Sequence, residues 1–153
     1  SKESFDALSF NCYALSPDHE KMNHALEISG LPMIIGEYHF GTVDRGLAQS
    51  LWQVNSQKER GDAFRYYTEN AFAHRGLIGT GWFRWIDQNI NGRTDGENYN
   101  CGFIDVTDRP YPYMVDAAIK TAKSLYEIHS GTKTPFHQAP NAVGHSPIPD
   151  LWE

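Results

Sequence analysis

Glu37 is the residue whose position most demands an explanation in chemistry. It follows Gly36 in PMIIGEYHF (32–40), at the end of an apolar run that reads as a strand. A carboxylate buried there without a partner is strongly destabilising. A hydrogen-bond donor, a metal or a role as nucleophile would offset that cost; the plain alternative is a structural Glu bonded to a neighbouring strand or loop. Strand alternation places His39 on the side of Glu37 and Tyr38 on the other. His39 is therefore a candidate for the same pocket, or else a neutral histidine satisfied by a backbone carbonyl. Asn11 and Tyr13 lie two apart at the end of ALSFNCY (7–13), on one face. A tyrosine hydroxyl there can hold a carboxylate on the adjacent strand ionised and oriented, or it can simply close the core.

A second group of candidates ends the segment LIGTGWFRWI (77–86): Trp82 and Arg84, with Asp87 and Gln88 just beyond. Phe83 and Trp85 occupy the alternate face. Aromatic faces suit the C–H faces of sugar rings, and Asp, Asn, Gln and Arg suit hydroxyls. Equally, a Trp can pack beneath the last helix, and one indole is expected in each role. The polar run 92–100 adds Glu97 and Asn98. The Tyr99 that follows them, and then Gly102-Phe103-Ile104-Asp105, indicate a loop that folds back in order.

Three strand-then-helix units must position these groups. Strands are read at 7–13, 32–40 and 77–86. Helices are read at 17–29, from about 57 to 73, and at 112–129. Ser16 and Pro17 look like an N-cap and first turn, and Gly30 and Gly131 look like stops. Ser56-Gln57-Lys58-Glu59 has the form of a capping box. Met33-Ile34-Ile35 reads as apolar on both faces, like a parallel strand covered by helices. Met114, Val115, Ala118, Ile119, Ala122 and Leu125 read as the buried stripe of the last helix. Loops 41–55 and 87–111 are long, as functional loops tend to be. This order implies an α/β fold with a parallel sheet and right-handed crossovers, and with functional groups at the strands' carboxyl ends. Residues 1–131 form the folded unit, and 132–153, rich in proline, form an extended tail.

Composition narrows the classes. The net charge of -6 argues against nucleic acid as partner. No run approaches a membrane span, and the opening SKESFDALSF does not read as a signal peptide. Cys12 and Cys101 make neither a disulfide framework nor a metal cluster. No H-E-x-x-H, dinucleotide, P-loop or G-x-S-x-G motif is present, and the acids of 87–105 do not match an EF-hand. No cofactor is expected.

Taken together, FNCYA, PMIIGEYHFG with DRG behind it, GTGWFRWIDQ and GRTDGENYNCGFIDVTDRPYP resemble strands 6, 7 and 8 of a clan A glycoside hydrolase barrel. The similarity is to the agarase-type family 50, with the family 42 β-galactosidases as the nearest rival. It covers roughly residues 5–129. The resemblance implies part of a (β/α)8 barrel, a retaining mechanism and Glu37 as nucleophile. It implies Tyr13 as the residue contacting Glu37 and Trp82 as a sugar-stacking ring. Asn11, His39, Asp87, Gln88, Glu97 and Asn98 would be subsite residues. The substrate implied is a galactose-containing polysaccharide, met outside the cell or in the periplasm. The family's acid/base follows strand 4, which this chain lacks, and none of Asp44, Asp87, Glu97 and Asp105 matches its motif. The expectation is therefore a C-terminal fragment, inactive alone. Its open strand edges would be covered by the missing N-terminal half or a second copy. A non-catalytic carbohydrate-binding or interaction module is the alternative.

Overall fold

The apolar segment 32–40 becomes the central strand. In the computed structural model, which describes residues 3–145, β1 (Leu8–Phe10), α1 (His19–Ser29), β2 (Met33–Tyr38), β3 (Trp52–Gln53), α2 (Gln57–Phe72), β4 (Leu77–Trp82), α3 (Pro112–His129) and β5 (Val143–Gly144) follow in order. The main sheet runs β1-β2-β4 and is parallel throughout; β3 and β5 form a separate antiparallel pair. The fold is thus α/β with parallel strands in one sheet and three helices. The strands are shorter than their apolar runs, and the long loop 41–55 contains β3.

All three helices feed one core. Met22 of α1, Ala63, Phe64 and Tyr67 of α2, and Met114 and Ala117 of α3 cluster with Met33, Ile35, Tyr38 and Leu77 of the sheet. Only this face of β2 is sealed. Met33 and Ile35 are fully buried, whereas Ile34 is half-buried and Ile78, on β4, is 56% exposed. The expectation of a strand covered on both faces is corrected accordingly.

β2 takes three steps from Ile35 to Tyr38 while β4 takes two from Thr80 to Trp82. The extra residue is a bulge at Gly36–Glu37. It returns Tyr38 to the helix side, where its ring stacks 3.9 Å from that of Tyr67. Bulges re-aim side chains in this way.

The caps differ in detail from the sequence reading. Asp18, not Ser16, caps α1: its carboxylate accepts from the N–H groups of Glu20 and Lys21, and its charge suits the helix N-terminus. Gly30 ends α1 at φ 61, donating to Leu26 O, a conformation glycine adopts without penalty. Ser56 caps α2 through the Glu59 N–H, but the Glu59 carboxylate returns to Asn55 N–H, one residue upstream of a true capping box.

The last helix buries Met114 as expected and packs Ala118 against the core, but the rest of its buried stripe is shifted from the one expected. Met114, Ala117, Thr121, Ser124 and Ile128 face the core. Val115, Ile119 and Ala122 lie on the open side, with Tyr126 88% exposed. The tail is not loose over its described part. Phe136 N–H donates to Glu69 Oε2 at 2.8 Å, Phe136 O accepts from Asn70, and Arg65 lies 4.4 Å over the Phe136 ring. β5 then pairs with β3. Residues 146–153 of the expected tail lie outside the described residues. Among the described residues, no helix is long and apolar enough to cross a membrane.

The two stripes of α3 give a direct test. Met114→Ala should lower unfolding stability by about 2–5 kcal/mol, whereas Ile119→Glu should change it by less than about 0.5 kcal/mol. Urea unfolding of this chain would check both.

Candidate active site

The bulge brings Glu37 to the mouth of the sheet. The Tyr13 hydroxyl donates to Glu37 Oε2 at 2.9 Å. Burial, first, and then the hydrogen bond and charge of Glu37, push the Tyr13 phenol far above its usual range, with a smaller push from Glu97. Tyr13 is thus a permanent neutral donor. Its segment is tightly held: Cys12 N–H donates to Glu37 O at 3.0 Å, Tyr67 OH to Cys12 O at 2.6 Å, and Trp52 Nε1–H to Tyr13 O at 2.8 Å. Asn11 is exposed beside this pair, its Oδ1 lying over Gly36. The structure brings Tyr13 and Glu37 together at the sheet end and sets Asn11 next to Gly36.

His39 shares that side but is not open to a ligand. It is 1% exposed. Its Nδ1 pairs with Phe83 O at 3.1 Å, and Nε2 accepts from Leu51 N–H at 3.2 Å, which fixes the proton on Nδ1. Both nitrogens are used, so the sugar-contact expectation for His39 is corrected to a structural one. Burial lowers its pKa to about 3. Its ring stands edge-on to Tyr13, 5.0 Å away, and supports it.

Trp82 also departs from its expected role. Register pairs it with Tyr38, and in-register neighbours in a parallel sheet share a face. Its indole packs against Tyr38, Phe64 and Phe103, and Nε1–H donates to Cys101 O at 2.6 Å. Trp82 therefore belongs to the layer between sheet and helices. Phe83, the next residue, is the ring on the site side, 5.9 Å from His39, with Tyr99 at 5.8 Å completing the wall. Alternation sets Phe83 opposite Trp82, but which of the two faces the site follows from the Tyr38–Trp82 pairing, which only the structure shows.

The loop after β4 is held by buried polar groups rather than lined by free ones. Asp87 accepts from Asn100 Nδ2, Gly102 N–H and Tyr111 OH. Gln88 is fully buried, donating to Glu97 at 2.7 Å and accepting from Tyr99 N–H at 2.6 Å. Both were expected as subsite residues; both instead brace the loop. Gly102 permits this fold, since a Cβ there would come within 2.3 Å of Asp87 N and Ile104 O. Glu97 is half-buried at the rim with Arg93 3.5 Å away, and Arg93 lies 5.7 Å over Phe83. Asn98 ties the loop to Ala48 N–H and Ile90 O.

Two residues that the sequence reading did not single out hold these loops together. Asn100, fully buried, donates to Asp87 and Tyr111 and accepts from Thr42 and Gln57. Arg60, fully buried on α2, donates to Asn100 O at 2.9 Å and Gly102 O at 2.5 Å and lies 4.4 Å over the Tyr111 ring. Burial lowers its pKa to about 10, with Asp87 opposing the shift, so it remains a cation. No local pattern marks either residue. Among the described residues, no three His, Cys, Asp or Glu side chains gather as metal ligands. The arrangement offers one half-buried carboxylate, a fixed neutral donor and a wall of rings, which suits attack on, or binding of, a ring with apolar faces and hydroxyls.

Two tests follow from this geometry. Asn100→Ala removes one of the three donors to the buried Asp87 carboxylate and should cost about 1–3 kcal/mol by urea unfolding. His39 stays neutral in the fold down to about 3 while an unfolded histidine charges near 6.5. Its contribution is therefore complete above 6.5 and is lost as pH falls towards 3, with a slope of at most about 1.4 kcal/mol per pH unit. Unfolding midpoints at pH 7 and 5 should fall more in the parent than in His39→Gln.

No family model matches the sequence. Beta-agarase A of Vibrio sp. (strain JT0107) is 40% identical over 128 residues, which is 79% of this chain and 13% of that protein. Beta-agarase B of the same strain is 38% identical over a stretch of the same extent. A solved exo-beta-agarase is 37% identical with a TM-score of 0.80, covering 86% of this chain and 18% of its own. The chain spans well under a fifth of the curated relatives it matches. Over most of its own length, then, this chain is similar to a segment of the family 50 agarases.

Proposed function

We propose that this chain is the C-terminal catalytic part of a retaining, agarase-like glycoside hydrolase acting on a galactose-containing polysaccharide. Glu37 is the nucleophile. The observation that carries the reading is the Tyr13–Glu37 hydrogen bond at the bulged end of the central parallel strand. Tyr13 engages Oε2, which leaves Oε1 to attack the anomeric carbon. An acid protonates the leaving oxygen, and water then hydrolyses the glycosyl ester as that acid acts as base. Two such carboxyl groups stand about 5 Å apart in retaining enzymes. The partner acid comes from protein outside this chain. Phe83 and Tyr99 form the wall against the sugar, with Asn11 and Glu97 as hydroxyl partners.

In this reading the three parallel strands are the sixth to eighth of a (β/α)8 barrel, and 1–131 is its closing part. The open edges of β1 and β4 and the uncovered apolar stripe of α3 support it. The enzyme meets its polymer outside the cell or in the periplasm.

The test is hydrolysis of agarose oligosaccharides and aryl β-galactosides. It uses this chain and a version extended N-terminally by the preceding barrel strands of an agarase. Activity is expected only in the extended form, because an acid/base contributes about 10²–10⁴-fold. Glu37→Gln should remove at least about a thousandfold of kcat. Robust turnover by this chain alone, or by Glu37→Gln, overturns the reading.

A further inference from the structure

We propose that the C-terminal strap, residues 132–145, positions the nucleophile of this centre by holding Trp52 and Leu51 against the residues that orient Tyr13. The inference rests on the assignment of Glu37 made above and adds a part of the chain far from it in sequence.

The strap is fixed at its near end by a buried carboxylate. Glu69 is 1% exposed, yet it accepts from Arg65, from Thr121 OH and from Phe136 N–H, the last being the strap's own backbone. From there the chain passes Asn55, whose Nδ2 donates to Asn141 O, and reaches the loop after β2. Two contacts then lead to the centre. Gly144 lies against the Trp52 indole: a Cβ at 144 would sit 3.1 Å from Cζ2 and 3.3 Å from Cε2. The same indole donates to Tyr13 O at 2.8 Å, and Tyr13 OH donates to Glu37 at 2.9 Å. In parallel, His145 N–H donates to Leu51 O at 2.7 Å, Leu51 N–H donates to His39 Nε2, and the His39 ring stands edge-on to Tyr13.

Both routes converge on one tyrosine, one through its backbone carbonyl and one through its ring. Each of β3 and β5 is two residues long, too short to persist as an independent pair. Their pairing survives because the strap is anchored at Phe136 and seated on Trp52. Trp52 and the strap are positioning elements: none of them touches the reacting atoms. Small misplacements of a nucleophile reduce turnover strongly while leaving binding almost intact.

Two measurements test this. In this chain, the Trp52 indole N–H should exchange with solvent at least about tenfold faster when the chain is cut after Gln138. An unchanged rate overturns the claim that the strap holds Trp52. In the extended enzyme, Trp52→Phe and the cut after Gln138 should each lower kcat by about ten- to a hundredfold, with KM within about twofold. Trp52→Phe keeps an aromatic ring under the strap and so guards against simple unfolding. If both variants match the parent while Glu37→Gln is inactive, the strap proposal alone is wrong. If Glu37→Gln retains the parent's activity, the nucleophile assignment is wrong and the strap proposal falls with it.

Discussion

A guanidinium with no access to water fixes the upper half of this structure. Arg60 projects from α2 into the protein, and its charge must be met by oxygen. It finds the carbonyls of Asn100 and Gly102, the ring of Tyr111 and the nearby field of Asp87. Because those carbonyls belong to the loop after β4, the loop can close in only one way. Asn100 then carries the constraint across to Thr42 and Gln57, so the loop after β2 is set by the same buried group. The ring wall of Phe83 and Tyr99 rests on this. Replacing such a network with apolar groups is often neutral for stability, whereas breaking one member is costly. Its value here is that it specifies one loop conformation.

Much of this was legible in the residues themselves. The alternation of apolar strands with capped helices gave the parallel sheet, because period and turn chemistry are local. Glu37 and Tyr13 could be paired in advance because each stands at a strand end with the right parity. The bulge was not legible: Gly36 permits it, but nothing in the sequence counts the steps taken by β4. Trp82 followed from that miss, since its face is set by pairing with Tyr38. Asp87 and Gln88 looked like ligands because they are polar and near a strand end. Whether such groups face solvent or one another depends on a loop closure that is a long-range event.

Helix α3 shows a different limit. Its apolar residues fall on two adjoining stripes, and periodicity alone cannot say which one meets the core. The smaller residues Ala117, Thr121 and Ser124 were chosen because α2 approaches closely there: a Cβ on Gly61 would lie 2.6 Å from Tyr113 O. The larger side chains Val115, Ile119 and Tyr126 were left outside. Close helix approach selects small residues, and the sequence does not record which helix will approach.

The pairing of β3 with β5 has a consequence for the order of events during synthesis. The strands of the main sheet and its carboxylate lie within residues 8–82 and leave the ribosome well ahead of the strap. Gly144 emerges long afterwards. Until it does, the indole of Trp52 has one face bare and Leu51 O has no strap to accept from. A nascent chain therefore carries the sheet and its carboxylate before the segment that seats Trp52 has emerged.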